Sequence, residues 1–483
     1  MKRPALIWLR RDLRLTDNPA LDLALTQGRL PVPVYIHDPA PAPRPGAASD
    51  WWLHHSLSAL QRQLRAHGSD LLIFKGETTT WLCRIAADTG ADAVYWNRLY
   101  EPHAVAQDQA LQTALRETGL EAHSCSAALL REPPDLLKAD GTPYRVFTPF
   151  WKALQKTGPA RAPVEPPDNL PALTAQPPGA LAPDDLQLLP ARGWDAGFHP
   201  HWLPGEDRAW RQLQSFLDEG LTGYAAGRDR PSQGATSRLS PHLHFGEISP
   251  VQVWQHTRQW ADRQDHPDAV AAADAFLREL AWRDFAHHLL FHYPHTAAQP
   301  LDTRYRAFPW RSDYRADLRA WQQGRTGIPM VDAGMRQLWF SGWMHNRVRM
   351  LAASLLTKNL LIPWQEGAAW FLDALVDADL ANNSFGWQWT AGCGADAAPY
   401  FRVFNPVTQG ERFDPEGSYV RRWVPELRDL PAKWIHRPWQ APAQVLAEAG
   451  VNLRETYPLP VVDLDSSRKR ALAAWARIRQ LPR

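Results

Sequence analysis

Four short apolar runs, Ala5 to Leu9, Val32 to Ile36, Leu71 to Phe74 and Ala93 to Trp96, punctuate the first 130 residues. Runs this short, bounded by polar residues, predict buried strands. Between them, Trp51 to Ala66 and His103 to Glu117 repeat their apolar positions at helical spacing. Strands alternating with helices imply a parallel, doubly wound α/β sheet. The first strand runs into Arg10, Arg11, Asp12 and Leu13, with no glycine-rich turn to seat a pyrophosphate. The domain is therefore Rossmann-like without the glycine fingerprint, which disfavours a nicotinamide dehydrogenase.

From Thr157 to Pro200 the chain turns rich in Pro, Ala and Gly, and Pro166-Pro167 and Pro177-Pro178 forbid regular helix. This reads as a linker wrapped over the surface. Beyond Pro204 the apolar period becomes almost wholly helical, over Asp207 to Glu219, Pro250 to Arg263, Pro267 to Phe291, Pro329 to Lys358 and Pro363 to Val376. The expected organisation is an α/β domain over residues 1–130, a linker over 131–203 and an all-α domain over 204–475.

Composition changes this picture little. The apolar run at the N-terminus is too short for a signal peptide or a membrane span, so a cytoplasmic protein is expected. Three cysteines, Cys83, Cys125 and Cys393, share no metal-ligand spacing, so neither a disulfide frame nor a metal site is expected. A net charge of +2 does not by itself announce a nucleic-acid partner. The kind of base is more telling: of 53 basic residues eight are Lys and 45 Arg, and arginine grips phosphate with a planar fork.

Chemistry concentrates in three places. On the helix Pro267 to Phe291, Phe276, Glu279 and Arg283 fall at i, i+3 and i+7, with Trp282 beside Arg283. Asn346, Arg349, Met350 and Ala353 repeat at i, i+3, i+4 and i+7 and face one way. The run from Asp377 to Asn405, D-A-D-L-A-N-N-S-F-G-W-Q-W-T-A-G-C-G-A-D-A-A-P-Y-F-R-V-F-N, packs carboxylates, adjacent amides and large rings more densely than core sequence does.

Together with W-L-R-R-D-L-R-L-T-D-N from Trp8, G-W-M-H-N-R-V-R-M from Gly342 and T-S-R-L-S from Thr236, that run resembles the DNA photolyase and cryptochrome family. The resemblance is to microbial cyclobutane pyrimidine dimer photolyases of the class I type. It extends from Trp8 to about Pro460. It implies a helical domain that holds FAD, reduced and anionic in the active form. It also implies blue-light electron transfer to a dimer flipped out of DNA, by a monomeric carbon-carbon lyase.

By the same resemblance, Tyr224, Thr236, Ser237, Arg238, Leu239, Ser240, Phe276, Arg349, Asp377, Ala378, Asp379 and Asn383 contact the flavin. Arg228, Glu279, Trp282, Arg283, Asn346, Arg347, Met350, Trp389 and Gln409 face the lesion or its phosphates. Trp387, Trp364 and Trp310 resemble an electron relay to the surface. Glu279 is expected in a water-poor pocket, donating a hydrogen bond to a carbonyl that gains electron density. Trp282 is expected to stack on the extruded base. The neutral amide of Asn383 suits an anionic flavin better than the aspartate of plant cryptochromes. Asn346 and Met350 stand where (6-4) photolyases carry histidines, and only 23 residues follow Pro460 where a cryptochrome usually extends further. A cryptochrome-type receptor and a (6-4) lyase are the alternatives. Tyr100-Glu101-Pro102-His103 does not reproduce the amide-acid pair of folate-binding members, so a second, light-harvesting chromophore stays open among folate, deazaflavin, flavin and none.

Overall fold

The computed structural model describes residues 3–39, 46–173, 176–265, 268–397 and 401–482. The helix expected from Pro267 has its first residue outside this set, as do three residues of the run from Asp377 to Asn405.

Strands β1 (Pro4–Leu9), β2 (Leu30–His37), β3 (Leu72–Lys75), β4 (Ala93–Asn97) and β5 (Glu121–Cys125) form one sheet of order β3-β2-β1-β4-β5. Every pairing is parallel, with Leu6 of β1 opposite Val32 on one side and Val94 on the other. The crossovers are α1 (Pro19–Thr26), α2 (Ala47–Ala66), α3 (Thr78–Thr89) and α4 (Pro102–Glu117). Helices cover both faces, which is why β1 and β4 are apolar along nearly their whole length. The sheet reverses order between β1 and β4, where a doubly wound fold opens a crevice at the strand ends. Here that crevice is filled: Arg10 donates to Asp108 at 2.8 and 3.1 Å, and Asn97 bonds Asp12 at 2.7 Å and Asn18 at 2.8 Å. The missing glycine turn and this plug of side chains are one fact seen twice.

The stretch 131–203 holds more structure than its composition suggests. Helix α5 (Phe147–Thr157) buries Phe147, Phe150, Trp151 and Leu154 in the same core as the helices that follow. After it, among the described residues, short 3₁₀ turns and one isolated bridge from Leu181 to Ile73 interrupt irregular chain up to residue 205.

The helical part contains α6 (Glu206–Ser215), α7 (Tyr224–Gly227), α8 (Ser240–Phe245), α9 (Pro250–Asp262), α10 (Ala269–His292), α11 (Arg315–Gln322), α12 (Pro329–Ser341), α13 (Asn346–Ser354), α14 (Trp364–Ala374), α15 (Leu380–Ala391) and α16 (Pro406–Phe413). Short helices and a last helix, Leu464–Arg479, follow. The single helix expected from Pro329 to Lys358 is in fact two. Gly342 takes φ +66°, and a Cβ there would stand 2.7 Å from Val376 and 2.8 Å from Phe198. That left-handed glycine stops α12, and the Nδ1 of His345 accepts the Arg347 N–H at 3.2 Å to start α13. The cores of the two parts are continuous, since Phe198, Trp202, Phe245 and Val376 pack with the sheet residues Ile7, Leu9 and Tyr35.

Candidate active site

Helix α15 packs against both α10 and α13, and the three carry many of the expected residues. On one side stands a closed ion pair. The Arg349 guanidinium, on α13, donates to both oxygens of Asp377 at 3.1 and 2.9 Å, and its Nε donates to the Met344 carbonyl at 2.7 Å. Ser240 Oγ, at the start of α8, adds a third bond to Asp377 at 2.6 Å. The turn leading into Ser240 is strained: Arg238 adopts φ +54°, a left-handed conformation unusual for a residue with a side chain. Its guanidinium lies 4.3 Å over Trp202 and 5.2 Å over Trp343, so what the turn offers a pyrophosphate is its backbone and hydroxyls. Tyr224, Phe216 and Phe276 meet in a ring cluster with centroids 4.7 to 5.6 Å apart.

Asp379 caps α15, where its Oδ1 accepts from the Asn382 N–H at 2.8 Å and from the Asn382 amide at 2.6 Å. The second oxygen faces His287 at 3.3 Å, His244 at 3.7 Å and Arg11 at 3.9 Å. Burial would raise the pKa of this carboxyl, but the two imidazoles hold it well below the usual carboxylate range. Sequence reasoning named Asp379 and missed its cage, because His244, His287 and Arg11 lie on three other elements. Asn383 donates its amide N–H to the Ala368 carbonyl at 2.9 Å, which fixes the side chain and leaves its oxygen to accept. Gly386, in the middle of α15, has nothing within 4 Å of where a Cβ would stand. Mid-helix glycine costs about 1 kcal/mol against alanine, and open space is what it leaves here. A neutral amide, a closed arginine pair and this clearance fit a flavin.

The other side is more open. Glu279 Oε1 accepts from Arg228 at 2.6 Å, with side-chain exposures of 29% and 26%. Without DNA bound, the carboxyl accepts from an arginine and both side chains stay within reach of solvent. Arg347 pairs with Asp229 at 2.8 Å and lies 4.5 Å over the Phe413 ring. Trp282 is half-buried and stacks on Phe147 at 3.5 Å with ring planes 8° apart, so α5 takes one of its faces. Arg283 donates to the Ala128 and Leu243 carbonyls at 2.8 and 3.5 Å. Asn346 is exposed at the first turn of α13, Met350 and Gln409 are half-buried, and Trp389 donates to the Asp396 carbonyl at 3.1 Å.

Trp387 is buried against α14, where a Cβ on Gly367 would stand 2.0 Å from its ring. That glycine lets α14 and α15 approach and puts Trp364, one turn earlier, in the same layer. The ring contacts recorded for Trp387 are Phe371 at 5.0 Å and Trp321 at 6.0 Å, and Trp310 touches Phe308 at 4.4 Å. Among the described residues no cluster of side chains could hold a metal ion, and no helix is long and apolar enough to cross a membrane.

Residues 5–171 match the family model described as DNA photolyase, and residues 276–477 match that of the FAD binding domain of DNA photolyase. The chain is similar to a deoxyribodipyrimidine photo-lyase of Agrobacterium fabrum, at 48% identity over 99% of this chain and 98% of that one. It is also similar to cryptochrome-2 of Arabidopsis thaliana, at 38% identity over 99% of this chain and 80% of that one. Among solved structures, a bacterial class III photolyase from Agrobacterium tumefaciens superimposes with a TM-score of 0.95 at 47% identity, covering 99% and 98% of the two chains.

Proposed function

The chain belongs to the DNA photolyase and cryptochrome family, and on that premise we propose that it is a deoxyribodipyrimidine photo-lyase that splits cyclobutane pyrimidine dimers in DNA under blue light. The observation that carries this reading is the sharing of helices. The flavin-side residues Arg349 and Asn383, with Asp377 in the turn before α15, and the lesion-side residues Glu279, Trp282 and Arg347 are carried by α10, α13 and α15, of which α15 packs against both others. Sites for cofactor and lesion are thereby held in fixed register. When bound, reduced FAD supplies the photoexcited electron. The chain's own residues do the rest.

In this reading Arg349, Asp377 and Ser240 anchor the cofactor, and Asn383 presents an acceptor without adding charge. Trp282, which is half-buried, offers its ring to the extruded base, which costs a few kcal/mol to flip and less when already damaged. Glu279 exchanges its bond to Arg228 for one to the lesion, and Arg228 turns to phosphate. Trp387, Trp364 and Trp310 form the relay that re-reduces the cofactor. The division of labour is an antenna domain over 1–130, a connecting segment over 131–203 and the cofactor and lesion domain over 204–475, in a cytoplasmic monomer.

Within the family, 47% identity and near-complete superposition with a protein named as a class III photolyase support class III in place of the class I type expected from motifs. A receptor reading draws on the cryptochrome similarity, and Asn383 weighs against it. The test is repair by the purified, chemically reduced holoprotein on separate cyclobutane and (6-4) substrates. Restoration of the cyclobutane dimer in blue light and none in the dark is expected. Repair of the (6-4) lesion alone, or of neither, would overturn the reading.

A further inference from the structure

Arg228 and Asp229 are adjacent in the chain just after α7, yet they face opposite ways in charge. Arg228 pairs with Glu279 at 2.6 Å, and Asp229 pairs with Arg347 at 2.8 Å. The two cations best placed to meet a phosphate backbone are each matched by a carboxylate. A half-exposed aspartate, at 39% exposure, is an odd residue to find on the rim of a site for a polyanion. It repels phosphate and occupies a guanidinium that phosphate could use. Glu279 has a use in the pocket, but Asp229 stands outside it.

We propose that Asp229 sets the discrimination between damaged and undamaged DNA by withholding Arg347 from the phosphate backbone until a flipped lesion engages Glu279. The inference rests on the lesion-side reading of Glu279 given above. With the pocket empty, two cations face two anions and the rim offers little net charge to intact duplex. A lesion that engages Glu279 leaves Arg228 unpaired beside Asp229. Asp229 is then shared by two guanidinium groups, and its hold on Arg347 weakens. Arg347 is suited to this exchange, because the Phe413 ring supports it from one side and its buried Nε has no hydrogen-bond partner. Asp229 is its one recorded ion-pair partner among the described residues. Phosphate contacts therefore become available where a lesion is present, and Asp229 acts as a positioning residue for specificity without touching the reacting atoms.

The experiment compares the wild-type holoprotein with Asp229→Asn in equilibrium binding to one duplex, with and without a cyclobutane dimer, across a range of salt. The variant is expected to bind undamaged duplex about two- to fivefold more tightly, the worth of a partly exposed ion pair. Its salt slope on a log–log plot should steepen by about 0.9, the signature of one added phosphate contact. Affinity for the damaged duplex should change less, so discrimination falls by a similar factor. In an Arg347→Gln background the same substitution should give no gain. Equal change on both duplexes, no change, or a gain that persists without Arg347 would overturn the proposal. So would loss of bound FAD from Asp229→Asn, which would assign the residue to the framework. A wild-type protein that does not distinguish the two duplexes would remove the lesion-side reading as well.

Discussion

Arg349 with Asp377 and Arg228 with Glu279 are the same chemical pair in two settings. The first is closed: two bonds from one guanidinium, a third from Ser240, and an aspartate side chain only 5% exposed. The second is a single 2.6 Å bond between side chains more than a quarter exposed. Removing one partner of a buried pair costs about 3–5 kcal/mol, whereas an exposed pair contributes about 0–1 kcal/mol and exchanges readily. A ligand that stays is served by the first arrangement, and one that comes and goes by the second. Bond length does not separate them; the number of bonds and the burial of the carboxylate do.

Breaking the closed pair should have the largest effect. Arg349→Ala leaves Asp377 buried without its cation, and a loss of about 3–5 kcal/mol is expected. It should appear as protein purified with little FAD, read from the ratio of flavin to protein absorbance. Full occupancy would show that the pair does not organise the flavin side. On the open side, Trp282→Ala should weaken binding to damaged DNA by about 1–3 kcal/mol, the usual worth of a base–aromatic stack, with flavin content nearly unchanged. Unaltered affinity would make Trp282 a packing partner of Phe147 and nothing more. The smallest effect expected is at Asp379, a third carboxylate whose cage lowers its pKa in the folded state. Such a group stabilises the fold above its unfolded pKa of about 3.9, and that stabilisation is lost as pH falls through the folded value. Asp379→Asn should therefore be less stable than wild type at neutral pH. The gap should close on acidification below about pH 4, followed by thermal or denaturant unfolding. A gap that stays constant with pH would mean the cage does not act through charge.

Much of the fold was legible where burial imposes a pattern. Strands β1 to β4 announce themselves because helices cover both faces. β5, E-A-H-S-C, does not, because it has no fully buried residue, whereas β3 at the other edge buries three of its four. α1 and α3 escaped because eight and twelve residues give the helical period few turns in which to show. The break at Gly342 was hidden inside a longer apolar rhythm. In the site, motif residues could be named in advance, since their spacing along α10, α13 and α15 is local. Their partners could not. The bond from Ser240 to Asp377, the imidazoles around Asp379 and the ring of Phe147 on Trp282 join residues separated by 92 to 137 positions. Nothing periodic records such meetings. The bonds from Arg283 to backbone carbonyls have the same origin, because only folding shows that Ala128 and Leu243 lie within its reach.

Arg11 sits at the end of the first strand, meets Glu101 at 2.7 Å through each of its two terminal nitrogens, and reaches 3.9 Å from Asp379 on α15. The sheet and the cofactor helices thus share a wire of charge. Anyone grafting the front half of one relative onto the back half of another would need positions 11, 101 and 379 to travel as a set. A hybrid that mixed them would strand a buried charge between the sheet and α15, however well the two backbones matched.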